Sequence, residues 1–262
     1  MIPKATGLGT WRTHLQVGEE KVVRVEKEGL DRKQVATVSV NPVTAYRMLK
    51  DFVSLKEGDW FIQNGANSGV GRAAIQLGRM WGLKSINIVR KREGKEGEKM
   101  RRELEDLGAD IVVNDEEITD RSLSDKVKEW TNNGREKIPL ALNCVGGDAA
   151  MAMAKVLSPS AHMVTYGAMS KNPLRVGASM LIFKDLVFDG FWVSRWSDQH
   201  PEEKKRTVDE ILGMMREGRF RDVPMVEVAW GWETGRGELV EAVEGTLGGF
   251  RKGKGVFVFE DM

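Results

Sequence analysis

Residues 63–74 read QNGANSGVGRAA and lie between a short apolar run and a segment with helical periodicity. From Gly69 the stretch follows the pattern G-x-G-x-x-A, with Ala74 as its last residue. Glycines let a backbone turn tightly and approach a bound anion closely, and a small residue after them lets a helix pack against a sheet. The stretch therefore predicts a strand, a tight turn and a helix, in that order.

The predicted turn has the features of a pyrophosphate-binding loop. The first N–H groups of a helix have no partner inside it, and they lie at the positive end of the helix dipole. Together they bind anions, and a preceding strand and a following helix are the context in which the motif binds a dinucleotide. Since both flanks have this pattern, we predict dinucleotide binding; the alternative is a glycine-rich turn that binds nothing.

The surrounding sequence alternates between short strand-like runs and longer helical patterns. Strand candidates recur at intervals of roughly 20–30 residues, the spacing of βαβ units. The strand candidates are residues 60–64, 85–89, 111–113, 140–144 and 162–166, and the helix candidates are residues 69–81, 95–107, 120–131 and 148–157. This pattern predicts an α/β fold, a doubly wound parallel Rossmann sheet over about residues 42–194.

The two ends of the chain have a different pattern from this central region. Near the start, residues 22–25 and 35–38 are rich in valine within a glycine-rich context, which predicts strands or loops. Beyond residue 194 the order is an amphipathic helix, a strand, a second helix and a final alternating strand. These elements are predicted at residues 202–218, 225–228, 237–247 and 256–259.

A basic triplet, Arg90-Lys91-Arg92, follows the predicted second strand of the sheet. It begins 90 − 71 = 19 residues after Gly71. Near this spacing an acidic residue binds the ribose 2′-OH of NAD, whereas an arginine accommodates the 2′-phosphate of NADP. Arginine can bind such a phosphate through two hydrogen bonds. The triplet therefore favours NADPH over NADH, with a solvated charge run as the alternative.

The composition excludes several classes of protein. Lys and Arg number 40 against 39 Asp and Glu, which leaves a net charge of +1 and no broad basic field for nucleic acid. One cysteine cannot form an internal disulfide or a Cys-rich zinc site, so we expect an intracellular protein without a structural metal. No apolar run reaches the ~20 residues of a membrane span, and no signal or targeting segment follows Met1.

Few side chains are candidates for catalysis. Hydride transfer needs no metal or nucleophile from the protein, because the nicotinamide carries the step. Tyr46 lies in a predicted helix and is interpreted as a packing residue. Tyr166 ends the fifth predicted strand, where parallel sheets bind ligands, so it is interpreted as a wall of the cofactor pocket or as core. A sixth strand is predicted at residues 186–192; Trp192 ends it and is a candidate neighbour of the nicotinamide, with packing as the alternative.

The remaining reactive side chains are expected to be structural. The histidines are far apart in sequence and lack a paired cysteine or carboxylate motif; they are His14, His162 and His200. Cys144 ends an apolar strand, where a buried small side chain is the expected role. No metal site is therefore predicted.

Five motifs occur in order along the chain: GLGTW (7–11), VNPVTAYR (40–47), IQNGANSGVG (62–71), ALNCVGG (141–147) and GFW (190–192). Together they resemble the mitochondrial trans-2-enoyl-CoA reductases, also called 2-enoyl thioester reductases. This family belongs to the medium-chain dehydrogenase/reductase superfamily. The resemblance extends over nearly the whole chain.

The resemblance implies NADPH-dependent reduction of the C2=C3 double bond of an enoyl-CoA or enoyl-ACP. Hydride adds to C3 and a proton to C2, through an enolate and without zinc. It also implies mitochondrial fatty acid synthesis as the setting. A homodimer formed through the edge strand near residues 186–193 is the assembly expected from the family.

The resemblance assigns the cofactor site residue by residue. Lys91 and Ala168 depart from the usual Asp and Gly of the family, and the extra positive charge at Lys91 is consistent with NADPH. The matching residues are Asn41 in the cofactor pocket; Asn67, Ser68, Gly69, Val70 and Gly71 in the pyrophosphate loop; Arg90, Lys91 and Arg92 at the 2′-phosphate; Tyr166, Gly167, Ala168, Met169, Phe191, Trp192 and Val193 beside the nicotinamide; and Lys254, which closes over the cofactor.

The chain departs from this family at its beginning. By the resemblance, family members carry a further segment before Met1, comprising a targeting peptide and most of a GroES-like catalytic domain. That segment holds the tyrosine that donates the proton or stabilises the enolate, so no catalytic residue is assigned here. Residues 1–40 and 195–262 are then expected to be remnants of the catalytic domain that pack together, and residues 41–194 to be the NADPH-binding domain.

Three functions remain open at this point. The first is an enoyl thioester reductase whose turnover is impaired. The second is a catalytically inactive NADPH-binding remnant or regulatory module. The third is a quinone or alkenal reductase of the same superfamily.

Overall fold

The computed structural model describes residues 1–4, 8–9, 14–247 and 253–259. The chain divides into two compact units: a terminal unit, Met1–Val40 with Ser194–Met262, and a central unit, Asn41–Val193. These boundaries lie within one residue of those predicted at 40/41 and 194/195. Among the described residues, no helix combines the length and apolar character needed to cross a membrane.

The described residues form strands and helices throughout both units. The strands are β1 (Ile2–Pro3), β2 (Val22–Val23), β3 (Trp60–Asn64), β4 (Lys84–Val89), β5 (Ile111–Asn114), β6 (Leu140–Asn143), β7 (His162–Thr165), β8 (Val187–Gly190), β9 (Met225–Trp230) and β10 (Lys254–Phe259). The helices are α1 (Arg32–Thr37), α2 (Asn41–Asp51), α3 (Gly69–Met80), α4 (Gly94–Leu107), α5 (Asp115–Thr119), α6 (Leu123–Trp130), α7 (Gly147–Val156), α8 (Ala178–Ile182), α9 (Val193–Gln199), α10 (Pro201–Arg216) and α11 (Arg236–Leu247).

The central unit is built on one six-stranded sheet. Its strand order is β5-β4-β3-β6-β7-β8, and every pairing is parallel. From β3 the chain proceeds outward to β5 on one side and then returns to add β6, β7 and β8 on the other. Ligands of such sheets bind at the carboxyl ends of the strands next to this reversal. The predicted doubly wound sheet is confirmed.

Apolar side chains cover both faces of the sheet, because successive residues of a strand point to opposite sides. Val112 packs in a cluster with Leu104 of α4. The next residue, Val113, packs in a second cluster with Ile118 of α5. Helices α3 and α4 therefore cover one face, and α5, α6 and α7 cover the other. Strand β3 is buried along its full length, as this two-sided cover requires.

The single helix predicted at residues 120–131 was wrong in its extent. The structure has α5 before it, and α6 begins only at Leu123. Helix α5 starts at a capping box: the Asn114 side chain accepts from the N–H of Glu117 at 3.0 Å, and Glu117 accepts from the N–H of Asn114 at 2.8 Å. These two bonds satisfy groups that a helix start otherwise leaves open, and so they stabilise a helix of five residues.

The prediction of a strand or loop at residues 35–38 was also wrong. Residues 35–37 belong to α1, which follows a second capping box. Asp31 Oδ1 accepts from the N–H of Lys33 at 2.7 Å, and the side chain of Gln34 accepts from the N–H of Asp31 at 2.9 Å. The β-branched residues favour a strand by propensity, but this cap favours the helix.

The terminal unit contains two small sheets and the long helix α10. Strands β1 and β2 pair antiparallel, and β9 and β10 pair in parallel. The Trp230 ring lies edge-on to Phe257 at a centroid distance of 5.0 Å. Helix α10 buries Val208 and Ile211. Its predicted apolar face is therefore confirmed.

A buried lysine ties the start of the chain to α10. Lys204 is 6% exposed, and its Nζ donates to the carbonyl oxygens of Pro3 at 2.9 Å and Lys4 at 3.2 Å. Removal from water lowers the pKa of Lys204, and the nearby charge of Asp198 opposes this effect. The ammonium group therefore has a structural role in the terminal unit.

We expect Lys204→Met to lower the free energy of unfolding by about 1–3 kcal/mol, because the variant fills the space but removes the donor to two carbonyl oxygens. Lys205→Met is the matched control, since Lys205 forms a surface ion pair with Asp209 one turn along the same helix. Its loss should cost under about 0.5 kcal/mol. Chemical denaturation measures both variants. Equal changes would show that the contacts of Lys204 contribute nothing specific.

Candidate functional site

The turn between β3 and α3 has room only for glycine at two positions. Gly65 has φ +62°, and a Cβ added there would lie 2.6 Å from the Cys144 sulfur. At Gly71 an added Cβ would lie 2.5 Å from the backbone oxygen of Ala66. Backbone atoms cannot move aside cheaply, so the turn packs against the first turn of α3 only because Gly71 has no side chain, while Gly65 leaves room for Cys144. We call residues 65–71 the phosphate turn.

The donors of the phosphate turn are arranged to receive an anion. Ser68 caps α3, and its Oγ accepts from the N–H of Gly71 at 3.1 Å. The N–H groups of Gly69 and Val70 have no acceptor within the helix. With the positive end of the α3 dipole beside them, they can bind a pyrophosphate.

Asn41 lies against this turn. A Cβ added at Gly69 would lie 2.3 Å from the Asn41 side-chain nitrogen. Asn41 is the first residue of α2, so that helix positions the amide at the start of α3. The structure thus brings together Asn41, Gly69 and the turn, which the resemblance had placed in one pocket.

The Arg72 side chain stabilises the phosphate turn, a role that the sequence did not indicate. Its Nε donates to the carbonyl oxygen of Asn67 at 3.2 Å, and its Nη2 lies 2.6 Å from Glu103 of α4. Because Glu103 lies 31 residues further along the chain, no local pattern could reveal the pair. The Arg72 side chain is thus bound to the turn and to α4.

Buried amides connect the strand ends around the turn. The side chain of Asn64 donates to Asn143 Oδ1 at 2.8 Å, and that of Asn143 donates to Thr165 Oγ1 at 3.2 Å. Asn64 Oδ1 also accepts from the N–H of Cys144 at 2.8 Å. Strand β6 ends at Asn143, one residue before the predicted end, and this bond holds Cys144 in the bend that follows. The amides therefore fix the carboxyl ends of β3, β6 and β7 relative to each other.

The basic triplet divides into two groups in the structure. Arg90 and Arg92 line a pocket of about 260 Å³ at the end of β4. The Lys91 ammonium instead lies 2.9 Å from Glu116 and 3.2 Å from Glu93. The hydrogen bond to Glu116, followed by that to Glu93, raises the pKa of Lys91. Arginine and lysine therefore face different partners.

The pocket beside Arg90 and Arg92 has two further charged residues in its lining. Arg101 and Glu98, both from α4, line it together with Asn114 of β5. Arg101 also donates to the carbonyl oxygen of Val112. The sequence did not indicate a role for Arg101, because Arg101 lies beside the triplet only in the folded protein. The pocket combines cations with a carboxylate, and two of its arginines have the predicted position for a 2′-phosphate.

The segments after β7 and β8 lie at the same edge of the sheet as the phosphate turn. The N–H of Met169 donates to the carbonyl oxygen of Cys144 at 2.8 Å, and that of Phe191 donates to Thr165 at 2.9 Å. Met169 and Trp192 are 63% and 61% exposed. Parallel pairing of β6, β7 and β8 places these residues together where a ligand would bind.

The Tyr166 hydroxyl is buried and makes no hydrogen bond within the described residues. It lies near the Cys144 thiol and the Ser68 hydroxyl without hydrogen-bond geometry to either. Burial, followed by the proximity of Cys144, raises the pKa of Tyr166 well above its usual value. Tyr166 follows β7, which ends at Thr165 rather than at the predicted residue 166. The phenol is therefore a neutral group beneath the phosphate turn.

Other singled-out side chains take structural positions. Tyr46 is buried and lies edge-on to Trp81 at 5.1 Å, and Cys144 is 4% exposed. His162 Nδ1 lies 2.7 Å from Asp189 across β7 and β8. In the described part of the chain, no group of three His, Cys, Asp or Glu side chains could hold a metal ion.

Lys254 belongs to the terminal unit, where it begins β10 and pairs with Met225. Partial loss of hydration lowers its pKa. Its place in a segment that closes over the cofactor stays a prediction. Most of the GLGTW motif, residues 7 and 10–11, lies outside the described residues.

Comparison with known proteins gives a family match and close relatives. The zinc-binding dehydrogenase family matches residues 69–212. A mitochondrial enoyl-[acyl-carrier-protein] reductase of Yarrowia lipolytica is 46% identical over 255 residues, covering 97% of this chain and 66% of that protein. The Homo sapiens enzyme of the same name is 40% identical, covering 84% of this chain and 57% of that protein. The chain thus spans about two thirds or less of these relatives.

Solved structures agree with these relatives. The mitochondrial 2-enoyl thioester reductase heterodimer Etr1p/Etr2p from Candida tropicalis has a TM-score of 0.88 and 33% identity, covering 94% of this chain and 71% of that chain. A mutant Etr1p in complex with NADP and crotonyl-CoA has the same TM-score and identity, covering 94% of this chain and 70% of that chain. A putative quinone reductase from Bacillus thuringiensis, 21% identical with a TM-score of 0.74, shares the fold.

The family match extends over more than half of the chain, and the Candida tropicalis enzyme is related over most of its own length. This chain therefore belongs to the enoyl thioester reductases of the medium-chain dehydrogenase/reductase superfamily.

Proposed function

We propose that the chain binds NADPH and takes part in reducing the C2=C3 double bond of trans-2-enoyl thioesters, enoyl-CoA or enoyl-ACP, in mitochondrial fatty acid synthesis. The observation that carries this proposal is the common position of two phosphate sites. The phosphate turn and the arginine pocket both lie at the carboxyl edge of the central sheet. Its relatives are named as mitochondrial enoyl-[acyl-carrier-protein] reductases, which supports the same compartment and substrate class.

The residues of the central unit fit the two ends of NADPH. The N–H groups at the start of α3 bind the pyrophosphate, with Asn41 beside them and Ser68 holding the turn. Arg90 and Arg92 bind the 2′-phosphate, since a guanidinium matches the geometry of a phosphate. Lys91 contributes little to this contact, because its charge is already paired with Glu116 and Glu93.

The nicotinamide end is expected to lie against the segments after β7 and β8. When bound there, NADPH would supply the hydride that adds to C3 of the enoyl group and would leave as NADP⁺. Met169 and Trp192, which are largely exposed, cover the ring and exclude water from it. Gly167, Ala168, Phe191 and Val193 complete these two segments. Lys254 is proposed to close over the bound cofactor.

The described tyrosines are unsuited to deliver the proton. Tyr46 packs against Trp81, and burial raises the pKa of the Tyr166 hydroxyl, which makes it a weaker proton donor. This observation favours a second candidate function, an NADPH-binding module without turnover of its own. Both functions share the cofactor site, and they differ in whether an enoyl thioester is reduced.

A second copy of this chain is the proposed partner. Strand β8 is the last strand of the central sheet, with β7 on one side. Next to it, Ile182 and Phe183 of the α8 region are 69% and 82% exposed, and Val187 is 38% exposed. An open strand beside apolar side chains favours pairing with another chain. We therefore propose a homodimer that joins two central sheets through β8.

Arg90→Ala with Arg92→Ala is expected to weaken NADPH binding by about 10- to 100-fold, because two charge-assisted hydrogen-bonding groups are lost. NADH binding should stay within about twofold, since NADH has no 2′-phosphate. Lys91→Ala is the matched control, and its already paired side chain predicts a change below about threefold. Calorimetric titration measures all three proteins. Unchanged NADPH affinity in the double variant would refute the phosphate assignment.

Turnover distinguishes the two candidate functions. We expect NADPH oxidation, followed at its absorbance maximum, to depend on added trans-2-butenoyl-CoA, because the cofactor site is of the reductase type. The Arg90→Ala/Arg92→Ala variant serves as control and should lose this activity at low NADPH. Binding of NADPH without any substrate-dependent oxidation would reject the reductase and leave the nucleotide-binding module.

Val187→Lys is expected to convert the dimer to a monomer, because a charge would enter an apolar interface at the strand edge. Val240→Lys on α11 is the control, since Val240 is 42% exposed and Val187 is 38% exposed. Sedimentation velocity reports the mass of each protein. A wild-type monomer at all accessible concentrations would contradict the proposed partner.

A further inference from the structure

Gln63 is a fully buried amide directly beneath the phosphate turn. It lies in β3, one residue before the strand ends, and is 0% exposed. Its Nε2 donates to the carbonyl oxygen of Gly71 at 3.0 Å and to Asn87 Oδ1 at 2.7 Å. Its Oε1 makes no hydrogen bond within the described residues. Both donor hydrogens are therefore used, and the acceptor is left over.

This arrangement is unfavourable for stability alone. A buried acceptor that loses water without gaining a partner carries a free-energy penalty. A methionine has nearly the same length and no polar atom, so it would avoid that penalty. Methionine would, however, leave the Gly71 carbonyl oxygen and Asn87 Oδ1 without the donor that Gln63 supplies. The amide at position 63 is thus better explained by what it holds than by what it contributes to folding.

The two bonds of Gln63 link the two phosphate sites. Gly71 belongs to the first turn of α3, where the pyrophosphate N–H donors lie. Asn87 is the register partner of Gln63 on β4, the strand that leads to Arg90 and its pocket. Asn87 is held in turn, since its Nδ2 donates to Ser85 Oγ at 2.8 Å and to the Ile111 carbonyl oxygen at 3.1 Å. A continuous chain of hydrogen bonds through the Gln63 and Asn87 side chains therefore runs from the start of α3 to β4 and β5.

We propose that Gln63 is a positioning residue. It fixes the position of the first turn of α3 relative to the end of β4, and thereby the spacing between the pyrophosphate and 2′-phosphate sites. The backbone ladder of β3 and β4 fixes the strands to each other but does not bind α3. Gln63 joins that ladder to the helix. Its own buried side chain touches no cofactor. The inference rests on the proposed NADPH binding.

The fixed spacing of the two phosphate sites predicts that loss of the bridge affects NADPH and NADH differently. NADPH must satisfy both phosphate sites at once, so a shift of α3 against β4 costs it one contact or the other. NADH has no 2′-phosphate and can follow a displaced turn. Loss of the bridge should therefore weaken NADPH more than NADH. A purely structural loss would affect both nucleotides alike.

The test compares Gln63→Met with Ile62→Val, a neighbouring and equally buried position in β3 that forms no part of the bridge. Dissociation constants for NADPH and NADH are measured by calorimetric titration, and unfolding midpoints by thermal denaturation. For Gln63→Met we expect NADPH binding to weaken about five- to tenfold, the effect of roughly one net hydrogen bond. NADH should change less than about twofold. The unfolding midpoint should fall moderately, because Asn87 Oδ1 and the Gly71 carbonyl oxygen lose their donor. Ile62→Val should leave both affinities unchanged.

Three results would overturn the inference. Unchanged NADPH affinity in Gln63→Met, with a wild-type chain that binds NADPH, would reject the positioning role alone. Equal weakening of both nucleotides would assign Gln63 to general stability. A wild-type chain that binds neither nucleotide would reject the proposed function, and the positioning role with it.

Discussion

The contact between Gly71 and the backbone of Ala66 is the constraint on which the site depends. An added Cβ would lie 2.5 Å from the Ala66 oxygen, so α3 can start this close to β3 only without a side chain. That closeness brings the helix dipole and the N–H groups to the carboxyl edge of the sheet. It also places the Gly71 carbonyl oxygen within reach of Gln63. The anion site and the bridge beneath it are thus consequences of one missing methyl group.

Buried polar side chains organise the same edge in a second way. Asn64, Asn143 and Thr165 form a row of hydrogen bonds across β3, β6 and β7. In a low-dielectric interior such bonds are directional and costly to break, so they restrict the strand ends more than apolar packing does. The segments that follow β6 and β7 begin from this fixed row.

The sequence predicts the fold well because the relevant patterns are local. Strand and helix periods, and the glycines between them, lie within short windows, and the parallel sheet follows from their alternation. Two errors have local causes as well. The cap at Asp31 favours a helix where β-branched residues indicated a strand or loop, and the cap at Asn114 stabilises a five-residue helix that is too short for its periodicity to be recognised. The bridge from Gln63 to Asn87 spans 24 residues and depends on strand register, which no short window contains. Polar pairs between residues far apart in the chain therefore could not be predicted from the sequence, even next to a turn that was predicted correctly.

The pairing of Lys91 has a kinetic consequence for the proposed binding of a nucleotide. Glu93 and Glu116 neutralise the ammonium, and Glu98 adds a carboxylate to the lining of the arginine pocket. Opposite charges a few ångströms apart produce a field that fades within a Debye length, about 8 Å at physiological ionic strength. The pocket therefore attracts a phosphate strongly on contact and only weakly from a distance. Association is then governed by diffusion and orientation, and discrimination between nucleotides arises mainly in how slowly the bound one leaves.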